Sequence, residues 1–275
     1  MSQPVGQDPA AGPPVCPRHP GRESYVRCQR CGRPACAQCQ MVAPVGIQCV
    51  DCVREGARTM RQSRTAAGAL ARGGPPRITY GFIGLCVLVY LGQLASDDLT
   101  FQLAFNQAWA EVQPWRYLTN ALVHAVGGMP LHILFNMYAM YLLGPPLEQL
   151  FGRVRYSVLL ILSALGGSVG FQLLAASTGW MVGASGVVFG LFGAFLTAGS
   201  KIGVRMSGIV VLIAINFVFG FVVPNIAWQG HLGGFLAGAA CGGVLVRAPA
   251  KSRVLVQSLG LGLIAVALVA LAVLA

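Results

Sequence analysis

The sequence predicts an all-α polytopic membrane protein preceded by a small cysteine-rich domain, and three observations carry that prediction. Of the 275 residues, 55 % are hydrophobic and only 10 % are charged, a balance outside the range of ordinary soluble domains. Seven apolar windows, each close to the roughly 20 residues that span a bilayer, follow one another after residue 77. Seven of the nine cysteines fall between Cys16 and Cys52, and eleven of the nineteen Lys and Arg residues precede Ile78. Composition thus changes once along the chain, dividing a polar head from an apolar remainder.

Residues 1–15 are rich in Pro, Gly, Gln and Ala and carry no apolar stretch of the kind that opens a signal peptide. They are expected to be disordered and to stay in the cytosol. Residues 16–52 contain "CPRH", "CQRC", "CAQC" and "CVDC", four pairs of donors each separated by two residues. That spacing lets a tight turn aim two donors at one ion, and eight donors suffice for two tetrahedral zinc sites. A disulfide framework is the competing reading. Against it, Cys16 pairs with His19 rather than with another cysteine, and the charge pattern described below puts the segment in a reducing compartment.

The order of the pairs resembles B-box-type and related cross-braced zinc fingers. That resemblance implies one zinc on Cys16, His19, Cys36 and Cys39 and a second on Cys28, Cys31, Cys49 and Cys52, whereas spacing alone leaves adjacent pairing open. Four ligands per ion leave no position for catalysis. The domain is therefore expected to steady the protein or dock a cytosolic protein partner. Arg18, Arg22, Arg27, Arg30 and Arg33 come without interleaved aromatics or a recognition helix, so anionic lipid or protein is expected in place of nucleic acid. Residues 53–77 read as a basic linker carrying Arg58, Arg61, Arg64, Arg72 and Arg77, and "GGPP" stops any helix before the first span.

The seven windows lie near 78–95, 131–150, 155–176, 184–200, 206–223, 230–247 and 254–275, with Pro224 ending the fifth. Arg153 with Arg155, Lys201 with Arg205, and Arg247 with Lys251 and Arg253 occupy the second, fourth and sixth loops. The opposite loops, 96–130, 177–183 and 224–229, hold a single basic residue, Arg116. The positive-inside rule then puts the N-terminus in the cytoplasm and the C-terminus outside. In this topology the second, fourth and sixth helices all enter from the outer face. Each carries its unusual polar residues in its first turns, His132 and Asn136, then Ser185, then His231, so four polar groups share one membrane level.

An isolated membrane serine usually bonds a carbonyl one turn back or packs a helix interface. "GASG" resembles part of the G-x-S-x-G nucleophile elbow, but Val187 replaces the last glycine and no strand is expected before it, so a soluble hydrolase fold is not implied. His231 begins an otherwise apolar helix, where an ionisable group is costly and usually functional. Gly234, Gly238 and Gly242 share its face, while Gly186, Gly190 and Gly193 stripe the fourth helix. Small-residue stripes let backbones approach closely and would carry His231 towards Ser185. His132 and Asn136, four apart on one face, suit donors to a developing oxyanion. His124 lies close enough to join them or is simply solvated. No Asp or Glu lies on the fourth or sixth helix, so a serine and histidine here would act as a dyad and not a triad.

The membrane region resembles the rhomboid family of intramembrane serine proteases over residues 78–247, through "WR" (Trp115, Arg116), "HILFN", "GASG" and "GHLGG". That resemblance implies a six-helix core, Ser185 as nucleophile, His231 as base, and an oxyanion hole built from His132, Asn136 and the Ser185 backbone N–H. Trp115, Arg116 and Glu148 would be structural. The sequence departs from the family in two places: His124 stands eight residues before His132 where the usual gap is five, and Phe189 replaces an aromatic that is often Tyr. Residues 248–275 add a seventh helix, as in six-plus-one members, and the zinc domain lies outside the resemblance. The function implied is cleavage of other proteins' transmembrane segments near the outer face of a bilayer, at the plasma membrane, with zinc structural only and no cofactor for catalysis. The alternative is an inactive rhomboid-like protein that binds transmembrane clients. A transporter fits poorly, because the polar residues sit near one surface and no repeated halves with broken helices are visible.

Overall fold

The computed structural model describes residues 12–60, 63–71, 74–127, 130–175, 179–201, 203, 206–222 and 226–274. The expectations for residues 1–11, Arg61, Arg72, Arg205 and Pro224 lie outside the described residues. The chain divides into two compact units, Met1–Gln62 and Ser63–Ala275.

In the first unit, β1 (Val15–Cys16) pairs antiparallel with β2 (His19–Glu23), and β3 (Gln40–Ala43) with β4 (Gly46–Cys49), before α1 (Val50–Thr59). Its buried core is Ala35 with Cys16, Cys28, Cys36, Cys39, Cys49 and Cys52. So few apolar groups cannot hold a fold of this length by burial alone, and such units need a staple. After Cys31 the chain turns back through Gly32, whose φ of 72° favours glycine and whose N–H donates to the Cys28 carbonyl at 2.8 Å. Cys52 sits inside α1, so residues 53–59, expected as linker, continue a helix begun in the cysteine cluster.

The second unit is helical. In order come α2 (Arg77–Ala95), α3 (Asp97–Leu103), β5 (Phe105–Asn106), α4 (Gln107–Ala110), α5 (Arg116–Thr119), α6 (Leu131–Phe151) and α7 (Arg153–Leu174). β6 (Trp180–Met181), α8 (Ser185–Ala198), α9 (Met206–Val222), α10 (Trp228–Arg247) and α11 (Arg253–Leu274) follow. A helix therefore occupies each of the seven apolar windows. Three of them, α2, α7 and α11, are long and apolar enough by themselves to cross a membrane. Residues 63–71 also differ from a free linker. Ala67 and Ala69 are buried, Thr65 Oγ1 donates to the Leu150 carbonyl at 2.6 Å, and Gln257 Nε2 to that of Ala67 at 3.0 Å.

The core gathers Leu147, Phe151, Tyr156, Leu159, Leu191 and Leu245 from α6, α7, α8 and α10. Faces that no helix covers stay apolar, as at Leu88, Phe135 and Leu263, 67 %, 66 % and 71 % exposed. Exposed apolar faces of this kind suit hydrocarbon and not water.

Glycine contacts fix the centre of the bundle. A Cβ built on Gly234 would lie 2.1 Å from the Gly186 carbonyl oxygen, and one on Gly238 2.0 Å from that of Gly190. The next step pairs Gly242 with Ala194 Cα at 2.9 Å. Both helices advance by four together, so α8 and α10 run parallel with backbones in contact, as the two stripes predict. A third helix joins them in the opposite sense: Cβ atoms on Gly170 and Gly166 would meet Gln229 and Gly233 carbonyl oxygens at 2.7 and 2.9 Å. Sequence reading did not foresee that α7 supplies a glycine face of its own.

Candidate active site

The first turns of α6, α8 and α10 meet at one end of this glycine-packed centre. Ser185 is the first residue of α8, with Ala184 as its N-cap. The first N–H groups of a helix have no carbonyl four residues back, so those of Ser185 and its successors point out of the helix end with the positive end of its dipole. Gly183 precedes them at φ 120°. A Cβ there would stand 2.7 Å from His132 Nε2 and 3.7 Å from Ser185 Oγ. The space that glycine leaves free is therefore bordered by the imidazole of α6 and the hydroxyl of α8.

His231 lies in the first turn of α10, 9 % exposed. Its ring stacks on Phe189 with centroids 4.2 Å apart and planes at 10°. Phe189 is four residues after Ser185, on the same helix face, so the stack sets the imidazole against that face of α8. Nδ1 of His231 faces Gly220 of α9, 3.4 Å from where a Cβ would be, and has no hydrogen-bond partner among the described residues. Among the described residues no carboxylate bonds this ring; its observed neighbour is the stacked Phe189.

His132 is oriented through its backbone neighbours. Its Nδ1 accepts from the Ala125 N–H at 3.1 Å, which turns Nε2 towards Gly183. Asn136 Nδ2 donates to the His132 carbonyl at 2.8 Å, tying that amide to its own helix. His124 is fully buried, which corrects the alternative of a solvated side chain: its Nε2 accepts from the Ala184 N–H at 3.4 Å, and its ring meets His132 edge-on at 5.2 Å. Gln93 of α2, absent from sequence reasoning, clamps the same loop. It donates to the His124 carbonyl at 2.9 Å and accepts from the His124 N–H at 3.0 Å. Its only sequence signal is an amide inside an apolar helix. A second correction concerns the approach to Ser185: the short strand β6 precedes it and pairs with β5.

The other singled-out residues are braces. Arg116, 1 % exposed, donates from Nη1 to the Phe101 and Ala104 carbonyls at 2.6 Å each and from Nε to Gln113 at 2.6 Å. Trp115 Nε1 donates to the Gln102 carbonyl at 3.3 Å. Glu148 caps α2, accepting from the N–H groups of Ile78 and Thr79 at 3.1 and 2.9 Å and from the Thr79 hydroxyl at 2.9 Å.

In the first unit the eight donors form two groups that could hold metal ions, Cys16, His19, Cys36 and Cys39, and Cys28, Cys31, Cys49 and Cys52. Within each, ligand atoms lie within 4.8 Å of one another. His19 Nδ1 is 3.9, 3.3 and 3.4 Å from the Sγ atoms of Cys16, Cys36 and Cys39, and Cys31 and Cys49 Sγ are 3.8 Å apart. Tetrahedral zinc geometry requires about 3.6 Å for such N–S edges and about 3.8 Å for S–S edges, so the donors fit. Their ionisation agrees. The Cys36 backbone N–H pulls Cys16 down to about 6, while burial and thiol neighbours push Cys39 up to about 11 and Cys52 up to about 12. Without a cation, crowded thiols cannot all ionise.

The fold and this grouping define a class: a helical, membrane-embedded bundle with serine, histidine and amide groups gathered at one end of its glycine-packed centre. The Rhomboid domain model matches residues 111–248, half of the chain, and the chain belongs to the rhomboid family. It is 32 % identical over 189 residues to "Rhomboid protease GluP" of Bacillus subtilis, covering 64 % of this chain and 36 % of that protein. It is 36 % identical over 148 residues to "RHOMBOID-like protein 5" of Arabidopsis thaliana, covering 50 % and 46 %. "RHOMBOID-like protein 2" of the same plant is 36 % identical over 186 residues, covering 60 % and 57 %. The chain thus spans between about a third and somewhat over half of the length of these relatives.

Proposed function

We propose that this chain is an intramembrane serine endopeptidase acting on transmembrane segments of other membrane proteins, with Ser185 as nucleophile and His231 as general base. The observation that supports the reading is the His231–Phe189 stack, which sets the imidazole against the residue one turn after Ser185, on helices whose backbones touch. In the reaction Ser185 Oγ attacks the scissile carbonyl carbon while its proton passes to His231 Nε2. The oxyanion enters the space beside Gly183, where His132 Nε2–H, the Ser185 backbone N–H and the remaining N–H of Asn136 can donate. His231 returns the proton to the departing amine, and a water activated by the same imidazole hydrolyses the acyl-enzyme. Stacking on Phe189 takes over the orienting role that a carboxylate has in a triad.

All seven long helices span the bilayer in this reading, six in the core at residues 78–247 and α11 as the addition. The basic loops lie in the cytoplasm of a plasma-membrane protein, so the site opens outward and substrates are cut near the outer face. Residues 16–52 of the first unit bind two structural zinc ions in cross-braced fashion on the two donor groups above and dock a cytosolic protein; catalysis uses no cofactor. The test is cleavage of a model transmembrane substrate by purified protein in liposomes. Wild type cuts, and Ser185→Ala and His231→Ala do not. Cleavage by either variant at the wild-type rate refutes the dyad, and a folded wild type that binds but never cuts transmembrane substrates supports the inactive alternative.

A further inference from the structure

At the end of the second unit opposite Ser185, the start of α7, the N-terminal half of α11 and residues Ala69 and Leu70 border an open-sided cavity of about 850 Å³. Its lining is largely apolar, with Val158 of α7 and Val254, Leu261, Gly262 and Ala265 of α11. Its mouth is cationic. Arg153 and Arg155 line it, and Arg155 experiences Arg253 and Arg64 as nearby like charges. None of these guanidinium groups has a carboxylate partner, because the ion pairs among the described residues all lie in the first unit. The one carboxylate in the lining, Glu148, has both oxygens engaged in capping α2. Two buried polar atoms are unpartnered among the described residues: Gln257 Oε1, an acceptor on a side chain 2 % exposed, and the donor Nε of Arg253, the residue before Val254 of the lining. Gln257 lines the cavity with its amide nitrogen already committed to two carbonyls.

Like charges gathered beside a cavity call for an anion, and its apolar lining calls for hydrocarbon attached to that anion. We infer that this cavity binds one anionic phospholipid, the phosphodiester at the arginines, a headgroup hydroxyl on Gln257 Oε1 and an acyl chain along α7 and α11. General attraction of basic loops to a membrane does not account for the arrangement, since it needs neither an apolar cavity beside the arginines nor buried unpartnered groups. The headgroup chemistry that meets both a free donor and a free acceptor is a phosphate bearing a glycerol hydroxyl.

The test titrates full-length protein in detergent with phosphatidylglycerol and counts bound lipid by native mass spectrometry. Wild type retains one lipid. The pair Arg155→Gln with Arg253→Gln weakens retention on the order of thirty-fold, at about five-fold per arginine near a membrane surface. Arg247→Gln, at the same end but outside the cavity, leaves it unchanged. Gly262→Trp, at a position where a Cβ meets nothing within 4 Å, abolishes retention with every arginine intact, read on protein whose far-UV circular dichroism matches wild type, and decides the matter if the double variant does not fold. Unchanged binding in Gly262→Trp, equal retention of phosphatidylcholine, or an equal loss in Arg247→Gln overturns the inference. Competition by glycerol phosphate at equal concentration also overturns it, because the site would then hold free phosphate and not a lipid.

Discussion

Replacing Gly238 by alanine tests whether backbone contact between α8 and α10 sets the catalytic distance. The added Cβ would lie 2.0 Å from the Gly190 carbonyl oxygen and 2.5 Å from both its carbonyl carbon and Cα. None of these atoms is a side chain that can rotate away. To reach the ordinary 3.4 Å of van der Waals contact, the helices must part by about 1.4 Å, the difference between 3.4 and 2.0 Å. Overpacking of this kind costs about 1–3 kcal/mol of stability. Displacing a catalytic group by about 1 Å costs on the order of 10²-fold in rate. Since His231 rides on α10 and Ser185 on α8, kcat for a transmembrane substrate in liposomes should fall about a hundred-fold, while KM changes little because no substrate contact is touched. Gly81→Ala on α2, where a Cβ meets nothing within 4 Å, is the control and should stay within about two-fold. If Gly238→Ala folds and cleaves within about three-fold of wild type, close approach of these helices does not set the site.

Two further outcomes follow from the geometry. Gly183→Ala should fold but lose roughly 10²–10³ in kcat, the effect of losing one oxyanion donor, because its Cβ would displace His132 Nε2 at a φ that disfavours alanine; a rate near wild type would remove the space beside Gly183 from the mechanism. Elemental analysis should find two zinc ions per chain, falling to about one in Cys28→Ser with Cys31→Ser, since each ion needs its full donor set; a metal-free wild type would contradict the zinc reading.

The windows at 78–95 and 131–150 became helices Arg77–Ala95 and Leu131–Phe151 because an apolar run bounded by Gly, Pro and charge leaves the backbone few other ways to satisfy itself. The stripes containing Gly190 and Gly238 announced their contact for a related reason: aligned small residues expose backbone along one face. What stayed hidden depends on partners distant in the chain. Gln93 reads as a stray amide until the His124 loop is seen to close on it, 31 residues later. Gly166 and Gly170 look like ordinary membrane glycines until α10 arrives in antiparallel contact. The described residues of segment 96–130 form three short helices and a strand, with Arg116 drawing the Phe101 and Ala104 carbonyls together, an organisation no periodicity encodes. Residues 63–71 likewise read as linker, since burial of two alanines leaves no pattern.

The central claim is that Ser185 is a nucleophile activated by His231. Incubating the purified protein with a serine-reactive fluorophosphonate and mapping the adduct by peptide mass spectrometry tests it directly. The account predicts a single adduct on Ser185 Oγ that forms at least a hundred-fold more slowly in His231→Ala. An adduct on a different serine, or labelling of Ser185 at the same rate without the imidazole, would contradict it.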